Sequence, residues 1–337
     1  MRGKRALVRR RLSSAGLFGG AMVTVGVLVA ACGGSSAAEE NPSKLGQLTV
    51  IETDQYDVPM AGADAAQELG LWKGTSLNVK IGVGEQLGQG LASGDADVAI
   101  GSPNRIIGAA LQGLDAKIVG PTIGAWDQYI VASKKSGATK PADLKGAKFG
   151  ISSFGSAGDY STAKLAESSG WKNTDYKVVT MGNLQGLEAG LKNGTIDAFL
   201  WSAFPAYTLQ ESGDAKVLGS VRDDIGPNPL DVIAVNGKTL EERPKAVKAF
   251  CDGYYKAVRT LQADPKKTQK LFVEKWDKDP KVTPDVIHSE LGLLSKNATI
   301  TDPMMKNMID ATKYTVQGAE SLDMKAMRGL YKNCDSL

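Results

Sequence analysis

The sequence predicts an α/β protein made of two similarly built lobes of helix-covered sheet, followed by a purely helical C-terminal stretch. Three observations predict it. Strand-like and helix-like runs alternate along most of the chain, one helix-to-strand passage occurs twice, and strand-like runs cease after Glu242.

The alternation comes first. Candidate strands lie at 48–52, 77–83, 97–101, 117–121, 129–133, 148–152, 177–180, 197–201 and 231–235. Each is a short run rich in Val and Ile, bounded by Gly, Pro, Asp or Asn, which is the pattern of a strand between turns. Helical stretches at 61–69, 103–111 and 159–167 separate them. Alternation of this kind argues for parallel sheets covered by helices.

The repeated passage is LASGDAD at 91–97 and LKNGTID at 191–197. Leu91, Gly94 and Asp97 match Leu191, Gly194 and Asp197, and each copy runs into an apolar strand followed by Ser102 or Ser202. Each reads as a helix ending at Leu, a left-handed Gly beyond it, and an Asp opening the next strand. Matched offsets in successive strand–helix–strand runs point to two lobes built alike.

Beyond Glu242, Pro244 suits the first turn of a helix. Val247, Phe250, Tyr254, Val258 and Leu261 then recur at helical spacing. Further helices are expected at 265–276, 284–294, 303–318 and 324–331. An all-helical tail cannot extend a parallel sheet, so it is expected to pack back on the first lobe.

The 337 residues suffice for two domains of ordinary size, with 42% hydrophobic and 23% charged residues as in a soluble globular protein. The formal charge of +3 is unevenly spread. Arg2, Lys4, Arg5, Arg9, Arg10 and Arg11 all precede the first acidic residue, Glu39. Without them, 34 basic residues face 37 acidic ones. No basic stripe remains to attract nucleic acid, and that function class is excluded.

The basic start leads into an uncharged stretch, 12–38, with its apolar centre at 17–31. This is the layout of an export signal. It ends in Val29-Ala30-Ala31-Cys32-Gly33, which resembles the bacterial lipobox, in which the Cys thiol receives a lipid before cleavage. The expected layout is a signal peptide over 1–31 and a tether over 32–46. Lipid on Cys32 would hold the folded part outside the cytoplasmic membrane. An uncleaved membrane anchor is the alternative, since the run is long enough to span. Arg9-Arg10-Arg11-Leu12 also permits a twin-arginine signal, although Ser13 stands where a second apolar residue is expected. Cys251 and Cys334 remain, either as a disulfide in an oxidising compartment or as two buried thiols.

Four segments in this order, LASGDADVAIG at 91–101, PADLKGAKFG at 141–150, SFGSAGDY at 153–160 and LKNGTIDAFLW at 191–201, carry a family resemblance. The chain resembles, over roughly 47–272, the solute-binding proteins of nitrate, sulfonate and taurine ABC importers. The same superfamily holds the thiamine-pyrimidine-precursor binders. The resemblance implies a two-lobed periplasmic-binding-protein-like (type II) fold. Lobe one would take 47–131 and 225–337, lobe two 132–224, with hinge crossings near 131–133 and 225–231. It further implies a monomer that closes around a small solute and docks on an ABC permease with its ATPase.

Ligands of open α/β sheets sit beyond the carboxyl ends of strands. That rule selects Asp54, Tyr56, Ser102, Asn104, Trp126, Asp127, Asp231 and the loop 153–160. In that loop Ser153, Ser156 and the amides of Ala157 and Gly158 would face an anion at a helix start, with Asp159 in the first turn. Plain N-capping by Ser156 is the competing reading. Tyr56, Trp126, Trp201, Phe204 and Tyr160 are candidate flat walls. Charge leaves the solute open. The selected loops hold several Asp residues with only Arg105 nearby, so a heteroaromatic or cationic solute competes with a sulfonate-type anion.

An enzyme is disfavoured. The single histidine, His288, falls in the helical tail, which leaves no Ser–His or Cys–His pair and no zinc set. The pyrimidine synthases that share the implied fold use a substrate histidine and a cysteine cluster, and both are missing here. No cofactor or metal is expected. A scaffold lipoprotein without ligand is the third class, distinguishable by the absence of any saturable stabilisation by solutes.

Overall fold

Short runs of branched apolar residues become strands, and the computed structural model describes residues 45–337 apart from Asp54 and Glu85. The expected signal peptide, Cys32 and the expected tether up to residue 44 lie outside the described residues. The strands are β1 (Gly46–Glu52), β2 (Leu77–Val83), β3 (Val98–Gly101), β4 (Ala116–Pro121), β5 (Tyr129–Ser133), β6 (Lys148–Ile151), β7 (Lys177–Thr180), β8 (Ala198–Trp201), β9 (Ala215–Ser220) and β10 (Val232–Asn236). They form two five-stranded sheets, ordered β2-β1-β3-β10-β4 and β7-β6-β8-β5-β9. The two orders are equivalent position by position.

Central strands β3 and β5 are buried along their whole length, as unbroken apolar runs covered on both faces should be. Edge strand β9 was not expected. Its AKVLGS sequence is only partly buried and lacks a run of branched residues.

The expected parallel pairing holds for β1 with β2 and β3 and for β6 with β7 and β8, but not throughout. β10 runs antiparallel to β3 and β4, and β5 runs antiparallel to β8 and β9. Both strands enter directly from the other sheet through short crossings. Only the single-turn helix at Arg222–Ile225 intervenes, before β10, and it is shorter than the crossover that a parallel connection requires. The second sheet opens at Tyr129, slightly ahead of the expected boundary.

Helices α1 (Ala61–Glu68), α2 (Leu87–Ser93), α3 (Pro103–Leu111), α4 (Ala157–Ser168), α5 (Leu184–Asn193), α6 (Ala203–Glu211) and α7 (Arg222–Ile225) accompany the sheets. The repeated passage is one device used twice. α2 and α5 end at Gly94 (φ +77°) and Gly194 (φ +84°). The Asp97 carboxylate then accepts the Thr49 N–H at 2.9 Å, and the Asp197 carboxylate accepts the Lys148 N–H at 2.8 Å. Each Asp thereby pins its strand to β1 or β6.

The tail contains α8 (Gly237–Glu242), α9 (Pro244–Ala263), α10 (Pro265–Glu274), α11 (Thr283–Glu290), α12 (Asp302–Thr315) and α13 (Met324–Leu330). α9 buries Val247, Phe250, Tyr254, Val258 and Leu261, and packs on α1. Cys251 of α9 is disulfide-bonded to Cys334. α12 packs on α3, yet it also reaches α4, and α11 packs on α6. The expectation that the tail packs on the first lobe alone is therefore corrected. Phe272 stacks on Phe204 at 6.1 Å, and Tyr314 meets Tyr160 edge-on at 5.4 Å, so the tail bridges to the second sheet's helices.

Candidate functional site

Parallel strands β3, β6 and β8 all end at one cavity of about 430 Å³, lined by Ser102, Ser152, Ser153 and Trp201. Gln128, at the entry to antiparallel β5, lies beside them.

The loop after β6 is shaped by its own hydrogen bonds. Gly155 takes φ +77°, a conformation favourable only to glycine among common residues. Its N–H donates to the Asp159 carboxylate at 2.9 Å, while Ser156 Oγ accepts the Asp159 N–H at 3.2 Å. Ser156 therefore caps α4, and Asp159 is turned onto its own loop rather than into the cavity. Both stabilise the positive end of the helix. Ala157 and Gly158 stand in the first turn, where backbone N–H groups have no intrahelical acceptor, and both line the cavity.

The opposite wall comes from the first sheet's side and the tail: Asn104 and Arg105 in the first turn of α3, with Thr315 and Val316 at the end of α12. One edge of the Asn104 amide is held by the Thr312 hydroxyl at 2.8 Å. Gln128 is only 7% exposed and lines the cavity. Among the described residues that line the cavity, Arg105 is the one charged side chain.

A second cavity of about 630 Å³ shares Ser152 and Trp201 with the first. Its walls include Gln55, Asp57, Asn183, Gln185, Phe204 and Lys278. Lys278 Nζ sits 4.9 Å from the Phe204 ring centroid, a cation–π contact.

The structure brings Ser102, Asn104, Ser153, Ser156, Ala157, Gly158 and Trp201 together on the first cavity, and Phe204 onto the second. The other selected residues that are described go elsewhere. Asp54 lies outside the described residues. Tyr56 stacks on Trp276 at 5.4 Å. Trp126 is fully buried, donates to Ser161 Oγ at 2.8 Å and packs edge-on to Tyr160. The Asp231 carbonyl accepts bonds from the Thr122 N–H and hydroxyl, both at 3.1 Å, tying the second crossing to the end of β4. The expected aromatic wall thus reduces to Trp201 and Phe204.

Asp127 is fully buried and faces the fully buried Glu290 of α11. Burial raises both carboxyls, and their mutual repulsion adds to the rise of Glu290. Arg222, which donates to the Tyr129 hydroxyl at 2.8 Å, opposes the shift from beside the pair. Asp64 is pushed up to about 6 by burial, despite accepting the Tyr56 N–H at 2.8 Å.

Sequence reasoning missed Gln128, Ser152, Thr315, Val316 and Lys278. The strand-end rule selects carboxyl ends, whereas Gln128 sits at the amino end of an antiparallel strand. Thr315, Val316 and Lys278 come from the tail, which the sequence presented only as packing.

The family description NMT1/THI5 like matches residues 59–268. A Haemophilus influenzae protein provisionally described as a thiamine biosynthesis protein is 26% identical over 295 residues, covering 85% of this chain and 90% of its own. Among solved structures, the alkanesulfonate-binding protein SsuA from Xanthomonas axonopodis pv. citri, bound to MOPS, superposes with a TM-score of 0.65 at 17% identity, covering 85% of this chain and 94% of that one. The desulfurization enzyme DSZB superposes with a TM-score of 0.60 at 14% identity, covering 86% and 98%. The architecture is the periplasmic-binding-protein fold.

Proposed function

The chain belongs to the NMT1/THI5-like family, and on that premise we propose that it is the solute-binding component of an ABC importer. In this reading it works outside the cytoplasmic membrane as a monomer, held by lipid on Cys32, and docks on a permease served by an ATPase. Two lobes, one built on each sheet, with the expected boundary at 131/132 moved ahead of Tyr129, close on the solute between them.

One observation carries the reading. The first cavity draws its walls from both sheets and the tail, and among the described residues its polar lining is rich in hydrogen-bond donors and includes no carboxylate. Hydroxyls, first-turn amides of α4, the Gln128 amide and the Arg105 guanidinium suit an oxyanion of the sulfonate, nitrate or taurine class. Among the described residues, the acidic side chains that left the solute open from sequence do not line this space. Asp159 is engaged by its loop, Asp127 faces Glu290, and Asp57 lines the neighbouring cavity. The site is read as non-catalytic. His288 lines a different surface hollow on α11, and Cys251 and Cys334 are bonded to each other.

A heteroaromatic solute is the second reading, favoured by Trp201 at the junction of the two cavities and by the label of the Haemophilus relative. Calorimetric titration separates them. Methanesulfonate or nitrate should bind saturably, and Arg105→Gln should weaken it about tenfold or more, the scale of one charge-assisted hydrogen bond. Binding of a neutral aminopyrimidine, with no response to either anion, would favour the second reading. Silence toward all of them would remove the solute-binding proposal.

A further inference from the structure

Both chain crossings and the tail meet at one buried junction. The first crossing, residues 122–128, is strapped to the segment that follows α11. The Gly124 N–H donates to the Leu293 carbonyl and the Ser295 N–H to the Thr122 carbonyl, both at 2.9 Å. The second crossing is led by α7, whose Arg222 donates to the Tyr129 hydroxyl at the far end of the first. α11 packs on α6, beside the second sheet, and on the single turn Val58–Met60, beside the first. Rotation of one sheet against the other therefore works on this junction.

At its centre Asp127 of the first crossing faces Glu290, the last residue of α11. Both side chains are fully buried, and among the described residues no basic group or hydroxyl comes within hydrogen-bond distance of either carboxyl. The surroundings do not neutralise two charges. Among the described groups that bear on the pair, Arg222 of α7 is the one cation, and Asp57, ahead of Val58–Met60, adds a negative charge. Tyr129 of β5 and Tyr207 of α6 are held neutral by burial. Asp285 and His288, on α11 with Glu290, are exposed to solvent.

Two carboxyls so placed do not both ionise readily, and a protonated one can donate to its neighbour. Burial pushes Asp127 up to about 7 and raises Glu290 as well, so the two titrate as a pair. We infer that Asp127 and Glu290 form a proton-operated catch on the hinge between the lobes. While protonated, the carboxyls join α11 to the first crossing. Once their protons pass to solvent, charge in a dry site draws them toward water, α11 parts from the crossing and the lobes swing more widely. The catch is thus firm in mild acid and loosens as pH rises through about 7.

Hydrogen–deuterium exchange of the purified protein without added solute tests this at pH 6 and pH 8.5, corrected for the chemical exchange rate. Protection of α11 relative to β3 should fall at least about fivefold between the two, and the radius of gyration should rise. Glu290→Gln should hold the ratio level, and Asp127→Asn serves if that variant folds poorly. His288→Gln and Asp64→Asn should keep the response of the unaltered protein. Infrared titration should show part of the protonated-carboxyl band vanishing with rising pH, and that part should be missing in Glu290→Gln. A level ratio in the unaltered protein, a response that survives Glu290→Gln, or one abolished by His288→Gln would each overturn the catch. Since no solute is added, the solute-binding reading stands or falls separately.

Discussion

At the scale of single residues, the loop that opens α4 was legible because its chemistry is local. Gly155, Ser156 and Asp159 form their bonds within a few positions, so spacing alone exposes the turn and its cap. Gln128 was illegible for the opposite reason: its exposure to the cavity is decided by a strand pairing with residues far away in sequence. Gly155→Ala tests the turn. It forces a side chain into the left-handed region, with Cβ meeting the Thr315 carbonyl oxygen at 3.1 Å. A cost of about 1–2 kcal/mol is expected in urea unfolding, together with weaker anion binding.

The buried acids give a residue-scale prediction about pH. Unfolded carboxyls titrate near ~4, whereas Asp64 is raised to about 6 and Asp127 and Glu290 are raised by burial. Between those limits the folded state holds more protons than the unfolded state. Stability from these groups is therefore present in mild acid and lost as pH rises through the raised values. Unfolding midpoints should fall between pH 5 and pH 8, and Glu290→Gln should flatten that fall. A midpoint that stays level in the unaltered protein would show that burial does not hold the protons on.

At the scale of elements, the strands with branched apolar cores were readable, and so was the repeated helix-to-strand passage. Edge strand β9 was not, because a partly exposed strand has no need of an unbroken apolar run. Strand direction was also hidden. Apolar runs report burial, and the antiparallel placement of β5 and β10 follows from the crossings rather than from their composition. The disulfide is an element-scale constraint, fastening α9 to the chain's end across a separation of 83 residues. Replacing both cysteines by serine should lower stability by up to about 4–5 kcal/mol in the chain-entropy account. Chemical denaturation of the double variant under non-reducing conditions measures this, and a loss below about 1 kcal/mol would mean that α9 is held by packing alone.

At the scale of the molecule, the two-lobe plan was visible in the echo of Leu91–Gly94–Asp97 by Leu191–Gly194–Asp197, whereas the reach of the tail was not. Phe272 and Tyr314 look like ordinary helix-face residues in sequence, and only the fold shows them against Phe204 and Tyr160. Phe204 lines the second cavity, and Tyr314 precedes Thr315, which lines the first, so lobe movement must slide or part these contacts. Solution scattering should record a smaller radius of gyration at saturating ligand than without it. Phe272→Ala should enlarge the ligand-free radius, and an unchanged value would show that the Phe272–Phe204 contact does not restrain the lobes.

The exchange of strands between sheets also sets an order of assembly. All the strands of the second sheet lie between Tyr129 and Ser220, in one unbroken stretch. The first sheet starts earlier in the chain, yet it has a gap between β3 and β4 until Val232–Asn236 arrives. A chain emerging from its amino end can thus finish the later-starting sheet before the earlier-starting one. Refolding followed by pulsed hydrogen exchange should protect β6 and β8 before β3 and β4. A nascent chain stopped near residue 225 should show the second sheet protected while the first remains open to proteases.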